Sequence, residues 1–146
     1  MTPEQLGEFM LREKTCRIAT ISKQGIHLTA TGFVWDGNSV WIPSSVKTQR
    51  LRDIEGDPHV TVLVDSVLGP AAGFAEFVGE ATVVGEVPRV GRPHPVLDAI
   101  EGMLVDKYNI PVTIIHQGDT AVMGGHAWIR VEPSKIVSSG GRPSSE

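Results

Sequence analysis

Along most of this chain apolar and polar residues alternate with a period of two, broken by a few stretches where apolar residues recur every three or four. The strand pattern runs through CRIATIS (16–22), IHLTATGFVW (26–35), SVWIPSS (39–45) and HVTVLVD (59–65). KQG and WDGN separate the first three and put glycine where tight turns need a positive φ, so these three are expected to pair as an antiparallel meander. FAEFVGEATVVGEV (74–87) reads as a further strand with Gly79 at a bulge, and TAVMGGHAWIRVEPSKIVSS (120–139) supplies one or two more.

The helical stretches are short. Thr2 and Pro3 before EQLGEFMLREK, with Gln5 three residues after the threonine, form a capped start, and Leu6, Phe9 and Met10 supply an apolar face. In VKTQRLRDIEGD, Leu51 and Ile54 predict one or two turns ending at Gly56 and Pro58. In PVLDAIEGMLVDKYNI, Val96, Leu97, Ile100, Met103, Leu104 and Tyr108 share a helical face, and Asp98, Glu101 and Asp106 fill the other side. IPVTIIHQGD, around Ile110 to Asp119, suits either a surface covered by a partner or a buried strand, and GGRPSSE reads as a frayed polar tail. Six or so strands, few helices and no strand–helix alternation predict a mostly β chain: one small antiparallel barrel over residues 1–146, closed so that no apolar edge is left open.

Composition narrows the function classes. A net charge of -4 gives nucleic acid no general attraction, and TQRLRD lacks an accompanying basic and aromatic stripe. The single cysteine, Cys16, excludes an internal disulfide and lies in an apolar strand, where it reads as buried filler. No apolar run is long enough to cross a bilayer and the N-terminus lacks signal-peptide features, so a cytoplasmic protein with no membrane partner is expected. His27, His59, His94, His116 and His126 are scattered without ligand spacing, so no metal is expected; His126, after Met123-Gly124-Gly125, is the one to watch. GxGxxG and GxxxxGK[ST] are both absent.

The densest local chemistry is SSVKTQRLRDIEGDP, Ser44 to Pro58. A strand ending at Ser44 and Ser45 and a helix starting near Thr48 bring hydroxyls, backbone N–H groups, Lys47 and Arg50 together as a pocket for a phosphate. The same spacing equally suits a solvated turn in which Lys47, Arg50 or Arg52 pairs with Asp53, Glu55 or Asp57, worth about 0–1 kcal/mol per pair.

From about Leu6 to Val137 the chain resembles the flavin/deazaflavin split-barrel proteins similar to pyridoxamine 5'-phosphate oxidase. The resemblance rests on CRIATISKQGIHLTATGFVWDGNSVWIPSS, TQRLRDIEGDPHVTVLVD, FVGEATVVGE and HAWIRVEPSKIV. It implies a split β-barrel of the FMN-binding type, with Ser44, Thr48 and Arg50 gripping the cofactor phosphate ahead of Ser45 and Lys47. Gln49 stands where an arginine is common. It also implies that Thr29, Thr31, Gly32 and Phe33 run along the ring system. Coenzyme F420, FMN and haem are the cofactors to weigh. The phrases VWDGNSVWI and GEATVVGEVPR are similar to the F420-dependent branch, whose long anionic tail suits a basic groove drawing on Lys14, Arg17, Lys47, Arg50 and Arg52. The implied activity is hydride transfer from reduced F420 to a small conjugated or unsaturated substrate, at a homodimer-interface site. The alternatives are an FMN- or haem-binding protein and a non-enzymatic homodimeric interaction protein. No catalytic side chain is singled out, as expected where the cofactor carries the hydride chemistry.

Overall fold

The computed structural model describes residues 1–116 and 125–141. Helix α1 (Pro3–Arg12) starts as its sequence predicts: Thr2 Oγ1 accepts from Gln5 N at 3.1 Å and Gln5 Oε1 accepts from Thr2 N at 2.9 Å. Leu6, Phe9 and Met10 are its buried face. Strands β1 (Cys16–Ser22), β2 (Gly25–Thr31), β3 (Val34–Trp35), β4 (Val40–Ser45), β5 (His59–Ser66), β6 (Gly73–Val84) and β7 (His126–Gly140) form one antiparallel sheet in the order β2-β1-β5-β6-β7-β4-β3. Helix α2 (Gln49–Gly56) follows β4, and α3 (Pro95–Tyr108) links β6 towards β7. No helix among the described residues is long and apolar enough to cross a membrane.

The three-strand meander expected from the sequence does not form. β1 pairs with β2 and β3 with β4, but β2 and β3 lie at opposite ends of the sheet order. The predicted strand 26–35 breaks at Gly32 and Phe33 because side chains from α3 occupy the backbone groups that a ladder would use. Phe33 N donates to Tyr108 Oη at 2.9 Å, and Phe33 O accepts from Lys107 Nζ at 3.1 Å. β2 and β3 are the two ends of the strand order, and the mostly antiparallel β fold expected from the sequence is the one found.

Other elements match the chain pattern more closely. The register shift at Val78/Gly79 is the expected bulge; a Cβ on Gly79 would press into the Glu132 carbonyl. Cys16 is buried. IPVTIIHQGD is not a strand in its described part: Val112–Ile114 is a single 3-10 turn, Pro111, Thr113 and Ile114 are exposed, Ile115 is buried, and 117–119 lie outside the described residues. Met123 and Gly124 also lie outside them, as does most of GGRPSSE; Gly140 ends β7 and Gly141 is buried.

Two cores explain why β4 is apolar on both faces. Val40 and Ile42 point inward with Phe9, Phe33, Val62 and Phe77, whereas Trp41 packs outward with Trp128 beneath Leu97, Ile100 and Leu104 of α3. Glu101 corrects the expected polar side of α3. It is 3% exposed, accepting from Arg89 Nε at 2.8 Å, Arg89 Nη2 at 3.0 Å, Trp128 Nε1 at 2.9 Å and sharing 2.9 Å with His116 Nε2. Val96 and Met103, counted on the apolar face, are exposed instead.

Candidate functional site

The alternation that turns Val40 and Ile42 inward also turns Ser44 inward, at the last turn of β4, where it has no exposed surface. The chain then reverses: Thr48 N donates to Ser45 O at 3.1 Å, Thr48 Oγ1 donates to the same carbonyl at 2.9 Å, and the Ser44 and Thr48 hydroxyls lie 2.7 Å apart. Thr48 therefore spends its hydroxyl on the turn and makes no side-chain cap for α2, whereas Thr2 and His94 cap α1 and α3. The first N–H groups of α2 are left without a side-chain acceptor at the end where the helix dipole favours an anion.

Arg50, in the first turn of α2, reaches from this turn across to the edge strand. Its Nε donates to Ser44 Oγ at 3.0 Å and its Nη1 to Thr29 Oγ1 at 2.8 Å. Ser44, Thr48, Arg50 and Thr29 thus form one hydrogen-bonded cradle joining β4, α2 and β2. Arg50 is 9% exposed, and burial pushes its guanidinium below the usual range. Among the described residues it has no carboxylate partner; both of its bonds go to neutral hydroxyls.

The solvated-turn alternative is not what forms. Asp53 is held by Thr20 Oγ1 at 2.7 Å and Gln49 Nε2 at 2.7 Å, and Asp57 pairs with His59. Arg52 donates to Lys47 O and Gln49 Oε1. Ser45 joins the turn through its carbonyl and its Oγ accepts from Lys47 N at 3.4 Å, whereas the Lys47 side chain is exposed. Arg17 does not converge on it either, since it pairs with Asp65 at 2.7 Å, and Lys14 is spent on the Lys107 carbonyl at 2.9 Å.

On β2 the inward row is His27, Thr29 and Thr31, each half-buried, beside the exposed outward row of Ile26, Leu28 and Ala30. Gly32 and Phe33 lie beyond the strand. A Cβ on Gly32 would sit 3.2 Å from Tyr108 Oη, and the Phe33 ring is fully buried beneath Lys107 Nζ at 3.5 Å. Phe33 therefore offers no ring face to a ligand.

Several residues at this end of the molecule carried no site signal in the sequence. Asp53, one turn after Arg50, is buried facing β1 and β2, with Oδ2 3.4 Å from His27 Nδ1. Burial acts to raise its pKa, but the bonds from Gln49 and Thr20 and the facing His27 hold it below the usual carboxylate range. Lys107 closes the far end of the row: burial and the neighbouring Lys14 bring its ammonium down to about 8, while it donates to Met10 O at 2.8 Å and to Phe33 O. Only the helical spacing of Arg50 and Asp53 could have flagged the first, and nothing local could have flagged the second. Among the described residues no group of three or more histidine, cysteine or acidic side chains is placed to hold a metal. An open cleft of about 720 Å³ lies beside the cradle, between the β1–β2 turn and α2, lined by Ser22, Lys23, Gln24, Gln49, Arg52 and Asp53.

Comparison with known proteins follows the same lines. No curated protein sequence matches the chain. Among solved structures, a conserved hypothetical protein from Mycobacterium tuberculosis superposes with a TM-score of 0.74 at 22% identity, over 97% of this chain and 86% of that one. HutZ, a haem storage protein from Vibrio cholerae, gives 0.72 at 17% identity, over 95% and 93% of the two chains. An F420 reductase gives 0.65 at 23% identity, over 89% and 94%. At these identities the likeness is one of fold, that of the split β-barrel. The model of the pyridoxamine 5'-phosphate oxidase family matches residues 2–137, nearly the whole chain, and the protein belongs to that family.

Proposed function

We propose that this protein is an oxidoreductase that binds reduced coenzyme F420 by its phosphate and passes a hydride to a small conjugated or unsaturated substrate, at a site completed by a second copy of the chain. The observation that carries the reading is Arg50: a buried guanidinium bonded, among the described residues, to the hydroxyls of Ser44 and Thr29 and to no carboxylate. A buried charge without a counter-ion is costly, and a phosphate oxygen arriving at Arg50 relieves that cost. The uncapped start of α2 adds N–H donors of the same sense.

The half-buried Thr29 and Thr31 leave a bed along β2 on which a planar ring can lie with its phosphate at Arg50. When bound, the deazaflavin would supply the hydride, and the chain's own work is to anchor, orient and exclude water. The exposed apolar side chains of Ile21, Ile26 and Leu28 on the β1–β2 face support a homodimer covering that edge. In this reading the protein acts in the cytoplasm on a small molecule, without membrane or nucleic-acid partners.

FMN carries a terminal phosphate that suits the same anchor, so the test sets the two cofactors side by side. Purified protein is titrated with F420 and with FMN, following fluorescence, and Arg50→Met is titrated in parallel. Micromolar or tighter binding of F420, preferred over FMN and weakened in Arg50→Met, is the expected result. Tighter binding of FMN, an intense Soret band on adding haemin, or unchanged affinity in the variant would overturn it.

A further inference from the structure

The His27–Asp53 pair lies against the cradle and is not used by it. His27 and Thr29 are two residues apart on the inward row of β2, roughly 7 Å between their Cα atoms. Asp53 and Arg50 are three apart on the face of α2 that meets that row, so Arg50 reaches Thr29 while Asp53 reaches His27. Asp53 is itself fixed by Thr20 and Gln49. The His27 Nδ1 atom is buried, makes no hydrogen bond among the described residues and faces the Asp53 carboxylate at 3.4 Å, yet the side chain as a whole is 37% exposed. The exposed part is therefore the rest of the ring, which carries Nε2. A carboxylate behind Nδ1 sets an imidazole so that its other nitrogen presents a donor when the ring is protonated.

Charge accounting gives this arrangement a purpose. Among the described residues no ion pair joins Arg50 to Asp53: Arg50 bonds to Ser44 and Thr29, and Asp53 faces His27. On this face α2 contributes Asp53 and Arg50, and β1 contributes Thr20, the cross-strand partner of His27, whose hydroxyl is 3.5 Å from the His27 carbonyl; Lys23 and Arg52 line the adjoining cleft. With His27 neutral the His27–Asp53 pair beside the cradle is negative; with His27 protonated the pair is neutral and no longer repels an anion at Arg50.

We propose that His27, facing Asp53, is the second cationic contact of the anion site, so that the site takes a doubly charged oxyanion more tightly when this histidine carries its proton. This rests on the reading of the cradle as a phosphate anchor. The probe is sulfate, which stays doubly charged from pH 5.5 to 8, so any change in its affinity comes from the protein. Wild-type affinity is expected to fall by roughly tenfold over that range, the scale of one charge-assisted contact. In His27→Gln the profile is expected to be flat at the weaker value. By reciprocity, saturating sulfate raises the midpoint of the His27 ring titration followed by NMR in the unmodified protein. That measurement needs no variant to fold.

Sulfate binding that is lost in Arg50→Met but indifferent to pH in wild type, or a His27 midpoint unmoved by sulfate, overturns the role of His27 and leaves the anchor standing. Sulfate affinity unchanged in Arg50→Met overturns the anchor itself.

Discussion

Replacing Arg50 by methionine separates a residue kept for binding from one kept for folding. The guanidinium makes two charge-assisted bonds, to Ser44 Oγ at 3.0 Å and Thr29 Oγ1 at 2.8 Å, each worth about 1.5–3 kcal/mol. Against these stands the desolvation of an ion with no counter-charge, which costs several kcal/mol. Methionine is flexible enough to fill most of the space. Ser44 keeps the Thr48 hydroxyl at 2.7 Å, and Thr29, half-exposed, can turn to water. The opposing contributions are of similar size, so Arg50→Met is expected to change unfolding free energy by no more than about 1 kcal/mol, or about 2–4 °C in Tm for a domain of this size. Affinity for a phosphate-bearing flavin should fall by roughly ten- to a hundredfold. Urea unfolding and fluorescence titration on the same preparation read both numbers. A loss of more than about 3 kcal/mol with affinity unchanged would show that Arg50 is a structural member of the core and refute the reasoning.

Two further expectations follow from the same structure. Glu101→Gln strands the charge of Arg89, 1% exposed, and is expected to cost about 3–5 kcal/mol in urea unfolding. Burial acts to raise the Glu101 pKa, but the bonds from Arg89, Trp128 and His116 hold it below the ordinary carboxylate range. Its stabilisation is therefore present above the unfolded pKa of about 4.3 and is lost as pH falls through the lower folded value; urea midpoints measured from pH 7 to 3 should fall more steeply in wild type than in the variant. Leu28→Lys places a charge on the exposed apolar face of β2, and sedimentation should show a dimer becoming a monomer with Tm measured on the monomer nearly unchanged; an unaltered oligomer removes that face from the proposed interface.

How much of the site was legible depends on the range of the interaction. Ser44, Thr48 and Arg50 were readable because a strand end, a reversal and a helix start lie within seven residues, and local backbone geometry brings them together. Thr29 was readable only through the family resemblance, since its contact with Arg50 spans 21 residues. His27 and Lys107 gave no site signal, and Asp53 was legible only as a surface partner for Lys47, Arg50 or Arg52, because a lone histidine, an acidic residue in a charged helix and a lysine at a helix end are ordinary surface residues until a neighbour buries them. Phe33 was misplaced for the same reason: the alternation continues past Thr31, and only the side chains of Lys107 and Tyr108, from a helix far along the chain, end the strand there.

What the sequence determined by itself is everything set by short-range periodicity and capping: the Thr2 capping box, the strand segments, the bulge at Gly79, the inward turn of Ser44. What the tertiary structure decided is partnership. A period of two says which face a residue shows but not which strand will lie beside it, so β2 and β3, adjacent in the chain, become opposite edges of the sheet. The same holds for charge. Glu101 and Arg50 look alike in the sequence as surface residues, yet one is buried with its counter-ion and the other without, and only the second is left with an unspent attraction for an anion.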